Sequence, residues 1–459
     1  MNLAVVILAA GEGKRMKSAY PKVIHRICGE PLLKYVITET AKLQPRKTVV
    51  VIGHQAEKVK AVLDESVSAI VQEEQKGTAD AVRITEPEFE DFQGTIMVTC
   101  GDIPLIRHET LGGLLQLHLE TKAAATLLSA HFSDPTGYGR IIRKPDGLVQ
   151  EIVEEKDATE AEKKITEINS GIYCFQKDDL FEAICKIGCK NAQNEFYLTD
   201  IVEVLNHQEK KIAVSVVVDS DEIAGVNSRK DLAQAQSIMQ TRINERIMEA
   251  GVTLVAPDLT FIGPDVRIGQ DTVIQPFSFL EGKTTIGSEC VLGPHVHLID
   301  MEVGSQVTME NVVAEESVIE DRAGLGPFSR IRPGTRIKKG AKAGSYVELK
   351  KTEVGEGSKV PHLSYIGDTV IGKDVNVGAG TITCNYDGVN KHKTVIEDGA
   401  FIGSDTMLVA PVKIGKNATT GAGSTIDKDV PEDALALERS EQRTIEGWSK
   451  RKREKKDRL

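Results

Sequence analysis

Just past the apolar run Leu3-Ala4-Val5-Val6-Ile7-Leu8-Ala9-Ala10 stands Gly11-Glu12-Gly13-Lys14-Arg15, with Pro21-Lys22 a few residues on. A glycine turn at a strand end offers backbone N–H groups to phosphate oxygens. Arg15 and Lys22 add two cations, which suits a triphosphate whose leaving pyrophosphate must be neutralised. The loop is not the dinucleotide G-x-G-x-x-G fingerprint, because position 16 is Met, and no G-x-x-x-x-G-K-[ST] run occurs. Asp102 follows Gly101 at the end of an expected strand over 96–99. An aspartate in that place is either a turn residue or a metal ligand. In the second half, His362 has Arg332, Lys350, Tyr365, Asn376 and Lys391 within some thirty positions. A neutral imidazole accepts protons near neutral pH, and cations of this kind bind a phosphate and hold the imidazole unprotonated.

Two different textures must position these residues. Up to about residue 227, short apolar runs (Val5–Ala10, Val49–Ile52) alternate with amphipathic stretches (Leu32–Leu43, Ala56–Leu63). That alternation predicts βαβ units around a mostly parallel sheet. From 228 to 250 the apolar positions Leu232, Ala235, Ile238, Met239, Ile243 and Ile247 predict one long amphipathic helix linking two domains.

After Gly251 an internal six-residue period takes over. Ile262, Ile268, Ile274, Leu280, Ile286, Leu292 and Leu298 recur at every sixth position. The period resumes at Val313, Ile319, Leu325, Ile331 and Ile337, and again from Ile396 to Ile426. Six is a multiple of the strand period of two and not of the helical 3.6, so one apolar residue stays on the same face of successive short strands. Three such strands with glycine-permitted corners form one coil of a parallel β-helix. The period falters between Val377 and Ile396, where Cys384-Asn385-Tyr386-Asp387-Gly388 intervenes. A loop expelled from a solenoid adds nothing to its core and is expected to serve function. The organisation expected is therefore 1–227, a linker helix over 228–250, a repeat domain over 251–440 and a charged tail over 441–459, of which the run from Lys450 to Leu459 reads as disordered.

Composition narrows the class. The net charge of −11 argues against a nucleic-acid binder. Seven scattered cysteines without a C-x-x-C pair read as reduced thiols of a cytoplasmic protein. The first apolar run lacks a basic leader and reads as a buried strand, and no run reaches the ~20 residues of a membrane span.

Leu8-Ala9-Ala10-Gly11-x-Gly13-x-Arg15-Met16 with Pro21-Lys22 resembles the opening motif of the sugar-1-phosphate nucleotidyltransferases. Matches continue in order at Gln72–Ala81, Cys100–Leu105, Gly137-Tyr138-Gly139-Arg140, Ile152-Val153-Glu154, Glu167–Gly171 and Gly225-Val226-Asn227. The resemblance implies a Rossmann-like α/β domain in which Leu8, Ala9, Ala10, Gly11, Arg15 and Lys22 hold the nucleotide phosphates. It implies that Gln72, Gly77 and Thr78 read uracil, that Gly139, Glu154 and Asn169 hold the sugar, and that Asp102 and Asn227 bind Mg²⁺. Lys14 stands where the family usually has a small hydroxyl residue, and Asp80 where members often carry His. The first touches side-chain detail of the loop and the second the packing of the base loop.

The repeats, with Ile331-Arg332-Pro333-Gly334, Glu348–Lys351, His362–Asp368, Asn376–Thr381, Cys384–Gly388 and Gly403–Thr406, resemble the hexapeptide-repeat acetyltransferases. Together the two sets look like the bacterial bifunctional family of N-acetylglucosamine-1-phosphate uridylyltransferase and glucosamine-1-phosphate N-acetyltransferase. That resemblance implies a left-handed all-β parallel β-helix, a homotrimer and a supply of cell-wall peptidoglycan and lipopolysaccharide precursors. It implies small-molecule substrates: glucosamine 1-phosphate, acetyl-CoA, UTP and N-acetylglucosamine 1-phosphate. His362 would be the base, with Arg332, Lys350, Tyr365, Asn376 and Lys391 on the sugar phosphate. Ala379, Asn385, Tyr386, Ser404, Ala422 and Arg439 would take acetyl-CoA. Cys384 offers an alternative route through a thioester. A single-function nucleotidyltransferase with a structural or regulatory β-helix is the rival reading.

Overall fold

The structure, a computed structural model, describes residues 2–456 and divides into two units, Met1–Gln240 and Thr241–Leu459.

The first unit is built on one nine-stranded sheet. Its strands are β1 (Leu3–Ala9), β2 (Lys47–Ile52), β3 (Ser68–Val71), β4 (Thr95–Cys100), β5 (Ala125–His131), β6 (Arg140–Arg143), β7 (Val149–Val153), β8 (Glu167–Gln176) and β9 (Ile212–Val216). The main order is β9-β5-β8-β4-β1-β2-β3, with β6 and β7 as a hairpin on β8. Pairing is parallel except within the β6–β7 hairpin and around β8, which runs antiparallel to β4, β5 and β6. The apolar run of β1 is continuous because both of its faces are covered. Ala4 and Val6 enter one core with Val49, Val51, Ile96 and Val98, while Leu3, Val5 and Ile7 enter the other with Val50, Ile52 and Met97. Each such fully buried Val, Leu or Ile contributes about 1.5–3 kcal/mol relative to exposure. Packed on both sides, the carboxyl ends of β1 and β4 become fixed platforms for Ala10–Arg15 and Asp102. A long helix, Arg229–Glu249, crosses the division between the units.

The second unit is a three-sided parallel β-helix, its faces being sheets of eleven, ten and nine short parallel strands. Buried apolar residues stack inside it from Ile262 to Ile426. The six-residue step shortens to five at several corners, among them Leu298 to Val303, Met309 to Ala314 and Ala314 to Ile319, and there the expected inward position is displaced. Val313 points outward, 41% exposed, while Val312 and Ala314 are fully buried. Leu298 pairs with Ala314, and the coil between them is short, so the inward position arrives at Ala314 rather than at Val313. Conversely, the stretch from Ile337 to Val377, which shows no clean sixfold spacing, keeps an unbroken interior through Ala343, Leu349, Val354, Val360, Ile366 and Ile371. The expelled segment lengthens one coil, since Ile371 pairs with Ile396 across it whereas Ile396 pairs with Ile414 over an ordinary step.

The expected disorder of the charged tail is corrected in part. Trp448–Lys456 forms a helix with no buried residue. Lysine, arginine and glutamate are good helix formers even where no core supports them. Asp457, Arg458 and Leu459 lie outside the described residues.

Candidate active sites

In the first unit, Gly13 has a left-handed φ of 68°, and a Cβ there would come within 2.7 Å of Lys22 Cβ. The absence of a side chain lets the glycine loop close over Lys22. The Lys22 ammonium donates to Asn227 Oδ1 at 2.9 Å and forms an ion pair with Asp102 Oδ2. Two oxygens from positions 102 and 227 thus converge on one cation, and the Val226 N–H bond to the Asp102 carbonyl at 2.9 Å holds the two segments together. A carboxylate and an amide oxygen form the donor set that suits Mg²⁺, which takes few protein ligands and keeps its phosphates and waters. Arg15 and Asn227 line a cleft of about 540 Å³ together with Tyr138 and Gly225. The Tyr138 hydroxyl accepts the Gly225 N–H at 3.2 Å. Among the described residues Glu39, His108 and Glu109 also cluster. Glu39 Oε2 there accepts the backbone N–H of His108 at 2.9 Å, at the start of the helix His108–Thr121.

The base loop and the sugar pocket share one strap. The Phe196 N–H donates to the Lys76 carbonyl at 2.8 Å, and its carbonyl accepts from Ala79 at 2.9 Å. Gly77 (φ 115°) has no room for a Cβ against the Phe196 backbone. Thr78 Oγ1 accepts the Leu198 N–H at 2.9 Å, and Thr199 Oγ1 donates to Glu154 Oε1 at 3.1 Å. Burial pushes the Glu154 carboxyl above its ordinary range. Asn169 is held by a 2.7 Å bond to the Tyr173 hydroxyl and by its own N–H on the Gly139 carbonyl at 2.9 Å. Gly139, Glu154 and Asn169 are neighbours, because a Cβ on Gly139 would lie 3.6 Å from both side chains. Lys14, by contrast, is an exposed partner of Glu12.

In the second unit, strand register stacks Arg332 beside Lys350, and Glu348 beside Tyr365. Arg332 Nη1 is braced by Glu348 at 3.0 Å. The Lys391 ammonium lies against that of Lys350, which lowers its pKa through hydrogen-bond and like-charge contact. Two facing ammoniums are an arrangement that an anion relieves. His362 ends the strand Lys359–His362 on the adjoining face and is exposed, one left-handed corner residue (Leu363, φ 50°) before Ser364 and Tyr365. Asn376 pairs with Lys359 on that same face.

The expelled segment is a small hairpin in which Tyr386 bridges to Lys391. Asp387 accepts from the N–H groups of Val389 and Asn390 at 2.8 and 2.6 Å and from His392 Nε2 at 2.7 Å. These bonds pull its carboxyl down to about 2. Asn385 is tied by its side chain to Asp368, and Cys384 ends the strand before the hairpin. Ala379, Ser404 and Ala422 form a column along the solenoid, joined by Asp405 N to Ala379 O at 2.7 Å and Gly423 N to Ser404 O at 2.8 Å. Arg439 Nη1 closes it on the Ala422 carbonyl at 3.0 Å.

Comparison with known proteins matches residues 4–221 to the nucleotidyl transferase family model and residues 393–428 to six repeats of the bacterial transferase hexapeptide model. The chain is 50% identical to the bifunctional protein GlmU of Thermoanaerobacter pseudethanolicus over 458 residues, covering 100% of both chains. It is 49% identical to the GlmU of Brevibacillus brevis over 96% of each chain. It is 47% identical to that of Halalkalibacterium halodurans over 98% of this chain and 99% of the relative. The chain belongs to the GlmU family.

As a GlmU-family enzyme it is a bifunctional transferase that makes UDP-N-acetylglucosamine by acetyl transfer and uridylyl transfer, and its solenoid is the left-handed β-helix of hexapeptide repeats. The single-function alternative falls with this membership. Thr199 and His392 lie outside every motif read from the sequence, and Glu348 and Asp387 lie inside motifs without having been given a part; each contacts a residue already singled out or its hairpin. Only the spacing of Asp387 within the expelled loop hinted at one of them.

Proposed function

We propose that each activity belongs to its own set of residues: uridylyl transfer to Arg15, Lys22, Asp102 and Asn227 with the base and sugar loops, and acetyl transfer to His362 with the cation face. The observation that carries the first half is the convergence of Asp102 and Asn227 oxygens on the Lys22 ammonium. Mg²⁺ held by Asp102 and Asn227 would neutralise the triphosphate. The phosphate of N-acetylglucosamine 1-phosphate attacks the α-phosphorus of UTP, and pyrophosphate leaves. No protein nucleophile is required, so alignment and charge neutralisation are the work of the site. Gln72, Gly77 and Thr78 read uracil, Leu8 to Gly11 line the phosphates, and Gly139, Glu154 and Asn169 hold the sugar.

In the second site the phosphate of glucosamine 1-phosphate relieves the Lys350–Lys391 repulsion, with Arg332, Tyr365 and Asn376 completing the grip. His362 takes the proton from the C2 ammonium, and the freed amine attacks the acetyl thioester of acetyl-CoA directly. The column Ala379–Ser404–Ala422 has small residues along which a pantetheine arm fits, with Asn385, Tyr386 and Arg439 at its edges. The exposed corner column of Phe277, Phe328, Tyr346 and Leu363 supports association of copies as a homotrimer, since stacked exposed rings are an interface composition. Among the described residues no helix is long and apolar enough to cross a membrane, which fits work in the cytoplasm, where UTP and acetyl-CoA are found. Release of pyrophosphate and of CoA, followed separately in single-site variants, tests the division. Loss of both from one substitution would overturn it.

A further inference from the structure

Gln72 is 4% exposed, and both hydrogens of its side-chain amide are committed. Nε2 donates to Asp80 Oδ2 at 2.9 Å and to the Gly77 carbonyl at 3.2 Å. Both partners only accept, so the nitrogen end of the amide must face them. Asp80 is itself 6% exposed, and its other oxygen is taken by Arg83. Asp80 thus accepts at both oxygens, and the amide cannot turn round without setting its oxygen against Asp80 and the Gly77 carbonyl. What Gln72 can offer a ligand is then Oε1 alone.

We infer that Asp80 is a positioning residue that sets base specificity by holding Gln72 so that only its carbonyl oxygen meets the base. The inference rests on the reading that Gln72 contacts the base. Uracil presents an N3–H donor to that oxygen. Cytosine presents a bare N3, whose lone pair faces another lone pair. To use its 4-amino group instead, cytosine would have to slide along its own edge and out of register with the glycine backbone of the same loop. A buried acceptor set against an acceptor loses a hydrogen bond and keeps the desolvation cost.

Asp80→Asn makes the test sharp because it is isosteric. Arg83 keeps the Oδ1 acceptor, and the new Nδ2 stands where Oδ2 was. Gln72 Nε2 then faces an N–H and keeps only the Gly77 carbonyl, so the amide loses its single enforced orientation, and the turned one, which presents Nε2 to the base, suits cytosine N3. Steady-state assays with UTP and CTP read the ratio of the two kcat/KM values, and that ratio does not depend on how much of a preparation is folded. The expected result is a fall in the UTP preference of at least about tenfold in Asp80→Asn, the equivalent of one misdirected hydrogen bond. Asp80→Ala, which leaves the amide held by the Gly77 carbonyl alone, should fall between the two. The wild type should reject 3-methyl-UTP, which lacks the N3–H. An unchanged ratio in both Asp80 variants, or a wild type that uses 3-methyl-UTP as readily as UTP, overturns the inference. If Gln72→Ala leaves the wild-type ratio intact, it is the assignment of Gln72 to the base that fails.

Discussion

Lys22 Nζ lies 2.9 Å from Asn227 Oδ1 although 205 positions separate the two residues. The same ammonium is paired with Asp102, so the glycine loop, the end of β4 and the segment before the long helix meet at one cation. Removing the ammonium while keeping the bulk, in Lys22→Met, should lower uridylyl transfer by about 10²–10³-fold, the worth of one preorganised charge at a developing anion. Acetyl transfer should be unchanged. Pyrophosphate and CoA release assayed on one preparation check this, and loss of less than a few-fold of pyrophosphate release would remove Lys22 from the site.

The Asp387 carboxylate holds the hairpin that presents Tyr386 on one strand and Lys391 on the other. Asp387→Ala frees two N–H groups and the His392 ring, and it should raise KM for both glucosamine 1-phosphate and acetyl-CoA by roughly tenfold. Substrate titrations in the CoA-release assay measure it. A rise in neither KM would show that the hairpin keeps its shape without this carboxylate.

The Asp200 carboxyl is pushed up to about 6 by burial and by Glu154, Glu203 and Asp157. Its raised folded pKa means that the folded state favours the neutral acid. The resulting stabilisation is full below the ordinary value of 3.8 and is lost as pH rises through about 6. Asp200→Asn stays neutral throughout. Thermal melting should therefore find the variant gaining on the wild type between about pH 4 and 6, with a constant difference above. A difference that does not vary with pH contradicts the assignment.

Much of this is legible in the sequence, for identifiable reasons. The β-helix announced itself because every coil repeats the same inward demand, so Ile262 to Leu298 and Ile396 to Ile426 repeat visibly. It was misjudged at Val313 because a coil shortened at its corner shifts the inward position by one, and a valine on either face looks the same in sequence. The glycine loop and Asp102 can be put forward from sequence because phosphate and metal chemistry restrict residue type. Thr199 beneath Glu154 is not legible, and Asp80 is marked only as a departure at the base loop, without its hold on Gln72, since a hydroxyl or carboxylate acting through another side chain leaves no spacing to read. The helix Trp448–Lys456 was missed because composition alone signals solvation, and solvation does not exclude helix.

The central claim is that one chain carries two chemically independent sites, and the most direct measurement is the mirror pair His362→Ala and Asp102→Ala. His362→Ala should lower CoA release by roughly 10²–10⁴-fold, the usual worth of a positioned base, with KM for acetyl-CoA little changed and pyrophosphate release intact. Asp102→Ala should abolish pyrophosphate release and leave CoA release near wild type. Cys384→Ala, measured alongside, should remain active, because direct transfer places no acetyl group on that thiol. Equal loss of both activities in either variant, or an inactive Cys384→Ala that still binds acetyl-CoA, would contradict the account.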